Sequence, residues 1–184
     1  MTESKTIQKI YRWRIKSAPL AIIPCLILAR PNPVSLAAGV GISLLGLLFR
    51  AWASMHIRKD EELAVSGPYR YTRNPLYFGN FILGVSLVVG SRSWWVAAIF
   101  GVYFAIFYPV ALLVEKSRME KAFPGQYGEY QKRVPLFIPS LRSSSGPQSR
   151  GFCWKLYGRN REYRALIGST VIWILMTVRM LLFG

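Results

Sequence analysis

Charge in this chain is sorted along the sequence, and that sorting limits its folds more than any other feature. Five stretches carry no charged residue: 17–29, 31–49, 74–91, 93–114 and 165–178, the last continuing as an apolar tail beyond Arg179. A membrane-spanning helix needs about 20 predominantly apolar residues, with a range of roughly 17–25. Windows 31–49 and 93–114 meet this outright. Window 74–91 also meets it, although its Asn74-Pro75 start has the chemistry of an entry loop. Windows 17–29 and 165–178 are short. They span if Lys16, Arg30, Arg164 and Arg179 extend their charged heads to the interfaces. Otherwise a run of this length is a buried or interfacial helix.

The basic residues follow the windows. Lysine and arginine number 24 against 8 acidic residues, a net charge of +16. All but Arg30, Arg92 and Arg179 fall in three segments: the N-terminal stretch, residues 50–73 and residues 115–164. With five spans these segments share one side, so the positive-inside rule places the N-terminus in the cytoplasm and the C-terminus outside. Anionic headgroups account for such charges, and a nucleic-acid groove has no need of cations sorted by alternate apolar windows. No small-residue cleavage pattern closes the first window before Arg30, so a secretory signal peptide is not expected. Cys25 and Cys153 are too few for a disulfide framework. The fold expected is an all-α, polytopic membrane bundle of about five helices.

Arg30-Pro31-Asn32-Pro33 and Gly90-Ser91-Arg92-Ser93 read as tight outer turns, each joining two antiparallel helices. Trp94 and Trp95 then fall where an interfacial aromatic belt would lie. The inner connections are long, and sites sit on loops held by a rigid scaffold. Chemistry is therefore expected on the cytoplasmic face. Ser143-Ser144-Ser145-Gly146-Pro147 has linker composition. It divides the chain into a four-span body, 1–140, and a C-terminal part, 141–184, with an amphipathic segment and the last span.

The first inner segment contains Gly67-Pro68, a turn signal, and Asn74-Pro75, which suits an N-cap and the first turn of a helix. In the second, Glu115 is the first charge after four apolar windows. Met119, Phe123, Tyr127 and Tyr130 then form an apolar stripe suited to a helix on the membrane surface, with Pro124-Gly125 as its breaking point. His56, the single histidine, reads as an interfacial side chain, and without a histidine or cysteine cluster no metal site is expected.

Together, Gly67-Pro68-Tyr69-Arg70, Arg73-Asn74-Pro75-Leu76-Tyr77-Phe78-Gly79, Glu115, then Phe123, Tyr127, Tyr130 and Val134-Pro135 resemble the isoprenylcysteine carboxyl methyltransferase family and its phospholipid methyltransferase relatives. The resemblance covers residues 50 to 139. It implies a small integral membrane enzyme which binds S-adenosylmethionine on the cytoplasmic side and methylates a lipophilic acceptor, isoprenylcysteine-like or phospholipid-like, reached from the bilayer; the localisation expected, apart from the resemblance, is a bacterial cytoplasmic membrane. It implies cofactor contacts at Glu61, Glu62, Leu63 and Ala64, at Tyr69, at Asn74, Pro75, Leu76 and Tyr77, and at Glu115, the best candidate for a catalytic role. The chemistry agrees: a sulfonium and an ammonium suit a carboxylate and aromatic faces, and helix-start N–H groups suit a carboxylate.

Three positions depart from the family pattern. Asn74 replaces the motif histidine and cannot take up a proton. Lys116 replaces a second glutamate. Ala111 stands where the prenylcysteine enzymes carry an arginine for the substrate carboxylate. Before the last window, Arg161 and Glu162 are candidates for closing over the acceptor, against a plain headgroup-binding flank. The competing functions are a nicotinamide-dependent sterol-type reductase, which resembles this family in its C-terminal half, and a non-catalytic scaffold.

Overall fold

Helices form over each of the five apolar windows. The computed structural model describes residues 5–58, 61–142 and 152–183. Its helices are α1 (Lys5–Leu28), α2 (Pro33–Ser54), α3 (Pro75–Ser91), α4 (Trp94–Ala122), α5 (Gln126–Arg133), α6 (Trp154–Arg159) and α7 (Tyr163–Phe183), with a 3-10 turn at Gly67–Arg70. Among the described residues there is no strand. The serine-rich linker at 143–147 lies outside the described residues.

Among the described residues three helices, α2, α4 and α7, are long and apolar enough to cross a membrane. The 17 residues of α3 reach about 25 Å at roughly 1.5 Å per residue, close to a hydrocarbon core of about 30 Å. The 24 residues of α1 include the N-terminal basic cluster. At 29 residues, α4 is longer than a bilayer core requires at roughly 1.5 Å per residue, so Glu115 and the turns after it extend beyond the apolar window. Lipid accounts for the many exposed apolar side chains, among them Leu44, Leu45, Leu48, Val102, Ile106 and Ile174. Trp94 and Trp95 stand exposed just after the turn between α3 and α4.

Small residues hold the bundle together. Gly39 and Gly46 of α2 are buried against Gly79, Ser86 and Gly90 of α3. Lipid tails are as apolar as leucine, so helices in a membrane associate through close backbone approach and hydrogen bonds rather than through hydrophobicity. The indole of Trp173 on α7 fills the slot left by Gly39 and Gly90, and Ser43 and Ser169 share a 2.7 Å hydrogen bond between α2 and α7.

The turns between α1 and α2 and between α3 and α4 are as tight as expected. Asn32 and Ser35 form a reciprocal capping box at the start of α2. The Ser35 hydroxyl also donates to Gly90 O at 3.1 Å, and Arg30 N donates to Ser91 O at 2.8 Å, tying the two turns together. Arg179 does not simply extend outward: its Nε donates to Ala29 O at the end of α1, at 2.7 Å.

At the opposite end the long connections fold over one another. Residues 71–74 and 135–140 are laced by Arg73 N to Pro135 O at 2.9 Å, Ser140 N to Tyr71 O at 2.9 Å, and Thr72 Oγ1 to Phe137 O at 2.8 Å. Phe137 enters an aromatic cluster between α3 and α4, with Phe78, Phe81, Phe104 and Tyr108. The segment before α7 docks back on the end of α2. Cys153 N donates to Met55 O, the Asn160 amide donates to Ser54 O and Ile57 O, and Arg159 pairs with Glu61.

Two local expectations are corrected. His56 is buried rather than interfacial; its Nδ1 lies 2.8 Å from Trp52 O and its ring fills the space a side chain on Gly67 would need, at a positive φ of 56° that itself favours glycine. The stripe from Met119 to Tyr130 is not a membrane-surface helix. The first part belongs to α4, the chain breaks at Phe123-Pro124-Gly125 with Gly125 at φ 78°, and Tyr127, Tyr130 and Val134 form a core with Leu63, Val65, Met119 and Phe123. The loop 61–70 offers these aromatics a protein surface, which outcompetes the lipid interface.

Candidate functional site

Where α4 leaves its apolar window, its face turns into the wall of a cavity. Tyr108, Ala111 and Leu112 are buried in the bundle, and Glu115, Arg118 and Met119 continue that face at helical spacing. The opposite wall is the start of α3. Pro75 supplies the first turn, and Asn74 occupies the N-cap position without capping. Its side-chain amide instead donates to Leu136 O at 2.9 Å. The first turn of α3 therefore lacks a side-chain cap, and Pro75, Leu76 and Tyr77 line the cavity. The roof is the loop of Glu62, Leu63 and Ala64 with the buried 3-10 turn residue Tyr69. Tyr130 holds that turn in place, its hydroxyl donating to Tyr69 O at 2.6 Å.

The cavity is open on one side and has a volume of about 360 Å³, within the range of roughly 300–1,000 Å³ usual for ligand sites. Nine of the ten positions expected to contact a cofactor line it: Glu62, Leu63, Ala64, Tyr69, Asn74, Pro75, Leu76, Tyr77 and Glu115. Glu61 stands outside, held by Arg159. Arg161 is also outside and exposed, at a φ of 57° in the bend between α6 and α7. Glu162 does not line the cavity but acts on it through Arg50, whose Nε lies 2.6 Å from Glu162 Oε1. Arg50 also donates to Leu76 O at 3.3 Å and to Asn80 Oδ1 at 2.5 Å.

Sequence reasoning left Arg50, Arg58, Asn80 and Arg118 out of the site. Two of them had a signal: Arg118 lies three residues after Glu115 on one helix face, and an arginine at the end of an apolar helix, such as Arg50, needs a buried partner. Arg73, Phe123, Tyr127 and Tyr130 stood in the motifs, without an assigned contact.

The cavity is rich in cations, and most are already engaged. Arg58 pairs with Glu62 at 2.9 Å. Arg73 reaches the Tyr127 hydroxyl at 3.2 Å and lies over its ring, 5.8 Å from the centroid, while its buried Nε has no hydrogen-bond partner. Glu115 is half-buried, and no described residue forms an ion pair with it. Of the three departures noted above, Asn74 lines the cavity and the other two fall away from it. Lys116 turns to Glu120 at 3.7 Å on the outer side of α4, and Ala111 is fully buried.

The three tyrosines around the site are held neutral. Burial pushes the Tyr69 phenol well above its ordinary value, with Tyr130, Glu115 and Glu162 adding to the effect. Burial also raises Tyr127, against the opposing hydrogen bond and charge of Arg73, and raises Tyr130. None serves as a base at neutral pH. In the unfolded chain these phenols release protons near their ordinary value of about 10, while in the folded chain they hold them. The unfolded state thus binds fewer protons above about pH 10, and stability declines there as pH rises. Thermal unfolding between about pH 8 and pH 11, with tyrosinate absorbance followed in parallel, checks this; an unfolding temperature that holds across the range overturns it.

A second cavity of about 550 Å³ lies between α1, α3, α4 and α7. Its walls are mainly apolar, and Asn80 lines both cavities. Among the described residues no group of three or more histidine, cysteine, aspartate or glutamate side chains is placed to hold a metal ion.

Comparison with known proteins places this architecture. The nickel-cobalt-cadmium resistance protein NccN of Alcaligenes xylosoxydans xylosoxydans is 35% identical over 111 residues, covering 57% of this chain and 52% of that protein. The cobalt-zinc-cadmium resistance protein CzcN of Cupriavidus metallidurans is 35% identical over 113 residues, covering 60% and 51%. The protein-S-isoprenylcysteine O-methyltransferase of Schizosaccharomyces pombe is 31% identical over 85 residues, covering 45% and 35%. The chain thus spans about half the length of the first two relatives and a smaller share of the third. No solved structure matches. The phospholipid methyltransferase family model matches residues 34–126, half of the chain, from α2 through both cavity walls to the start of α5, and this membrane protein belongs to that methyltransferase family.

Proposed function

We propose that this chain transfers a methyl group from S-adenosylmethionine to a lipophilic acceptor held in the membrane. One observation carries the reading: residues 62–64, 69, 74–77 and 115, separated in sequence, converge on a single cavity with both signs of charge. That donor set fits the cofactor, which has a carboxylate, an ammonium, a sulfonium and an aromatic base. Glu115 would hold the cationic end. Arg73, with its unpartnered Nε, and the uncapped start of α3 would hold the carboxylate. Tyr69, Tyr77 and Phe123 would supply aromatic faces to the cation and the base.

When bound, the cofactor supplies an electrophilic methyl carbon on a sulfur that leaves with the bond's electron pair. The protein's part is to position the two reactants and exclude water. This asks for no nucleophilic side chain and is compatible with Asn74 in place of histidine. The apolar second cavity supports an acceptor that arrives from the lipid. The clustered basic residues support a site on the cytoplasmic face.

Calorimetric binding of S-adenosylhomocysteine to the detergent-purified protein is the test. The wild type binds, and Glu115→Gln loses roughly 1.5–3 kcal/mol, the worth of a hydrogen bond to a charged group. Undiminished affinity in the folded variant removes Glu115 as the anchor. No binding to the folded wild type leaves a scaffold of the family's fold.

A further inference from the structure

One face of α3 runs from the first cavity into the second. Leu76, Tyr77 and Asn80 border the polar cavity, and Asn80, Leu83, Gly84 and Leu87 border the apolar one. These positions recur at helical spacings of three and four. Asn80 is the one polar side chain where the two meet. It lies five residues into α3, about 7.5 Å along the axis from Pro75 at roughly 1.5 Å per residue. That depth matches the boundary between headgroups and chains if α3 begins at the membrane surface.

The orientation of the Asn80 amide follows from chemistry. A guanidinium only donates, so the atom 2.5 Å from Arg50 is the carbonyl oxygen. The amide nitrogen is left as a pure donor, and no described residue accepts from it. Arg50 is fixed in turn by Glu162 and Leu76 O, and its stem crosses Gly79, where a Cβ would collide with it. Glu162 also cancels the charge of Arg50. The junction therefore offers a fixed, neutral hydrogen-bond donor with no spare positive charge from Arg50.

We propose that Asn80 positions the methyl acceptor by donating a hydrogen bond to an uncharged oxygen, such as a hydroxyl, of an amphiphile whose apolar chain fills the second cavity. Glu162 acts through Arg50 as a positioning residue and sets the preference for a neutral head over a carboxylate. The proposal rests on the methyltransferase reading and names the acceptor class for it. Continuity of the two cavities through one side chain argues for a ligand with a polar head and an apolar tail. The lining of the second, including Ile22, Leu83, Leu87, Phe100 and Ile172, argues that the tail is hydrocarbon.

The test uses radiolabelled dodecanol and the purified protein in lipid nanodiscs, with empty nanodiscs as background. Dodecane and dodecanoate serve as competitors. The wild type retains dodecanol above background, and dodecane competes less well than unlabelled dodecanol. Asn80→Leu weakens dodecanol binding by roughly three- to tenfold, the loss of one neutral hydrogen bond. Glu162→Gln leaves the charge of Arg50 unbalanced and shifts the preference toward dodecanoate, a change that loosened packing alone would not produce. Equal dodecanol binding by Asn80→Leu, dodecanoate preferred by the wild type, or no retention above background overturns the proposal. S-adenosylhomocysteine binding by the wild type is measured separately. Its absence alongside the expected dodecanol pattern refutes the cofactor reading and leaves the role of Asn80 standing.

Discussion

Replacing Glu162 with alanine lowers stability by about 3 kcal/mol, the lower end of what breaking a buried ion pair costs. The two side chains of the Arg50–Glu162 pair are only 13% and 7% exposed, so Arg50 loses a partner that water replaces poorly. Arg50 keeps its bonds to Leu76 O and Asn80, which holds the loss to the lower end. For a chain of this length the unfolding temperature falls by roughly 6–12 °C, at about 2–4 °C per kcal/mol. Glu162→Gln falls less, because the amide oxygen still accepts from Arg50. The double variant Arg50→Met, Glu162→Leu is more stable than Glu162→Ala, because no charge is left buried. Thermal unfolding in detergent decides it: a Glu162→Ala protein that melts with the wild type would show the pair to be ornamental.

Gly39→Leu has a comparable effect from a different cause, about 3 kcal/mol of overpacking. A Cβ on Gly39 would lie 2.4 Å from the Trp173 ring, 2.8 Å from Gly90 Cα and 2.9 Å from Ser86 O. Two of these neighbours are backbone and cannot swing aside, so α2 and α3 must separate and Trp173 must leave its slot. Gly41, two residues on, has nothing within 4 Å of a Cβ, so Gly41→Leu is the matched control and melts with the wild type. Adding Trp173→Ala to Gly39→Leu recovers part of the loss by freeing the slot. If the two leucine variants melt together, the close approach of α2 and α3 is not what holds the bundle.

The helical windows were legible because each is a local property. An uncharged run of sufficient length becomes a helix in a bilayer whatever surrounds it, since the backbone must satisfy its own hydrogen bonds there. The two tight turns were legible for a related reason: Pro31-Asn32-Pro33 leaves the chain few conformations, and Gly90-Ser91-Arg92-Ser93 is a short polar break between two apolar windows. The motif residues were legible as a set, from Tyr69 to Glu115, although nothing in their spacing showed that they would enclose one cavity. His56 was misplaced because its surroundings come from Gly67, and the stripe from Met119 to Tyr130 was misplaced because Leu63 and Val65 cover it.

The sequence by itself determined a membrane bundle of helices with its basic connections on one side and a family-specific set of residues in two of them. Hydropathy, charge and turn chemistry act over a few residues and leave their mark on neighbouring positions. The tertiary structure alone decided that Glu162 meets Arg50 across 112 residues, that Trp173 fills a slot between two glycines, and that Asn80 joins two cavities. Such pairings depend on how helices already formed pack against one another, and no periodicity along the chain encodes which distant side chain will arrive.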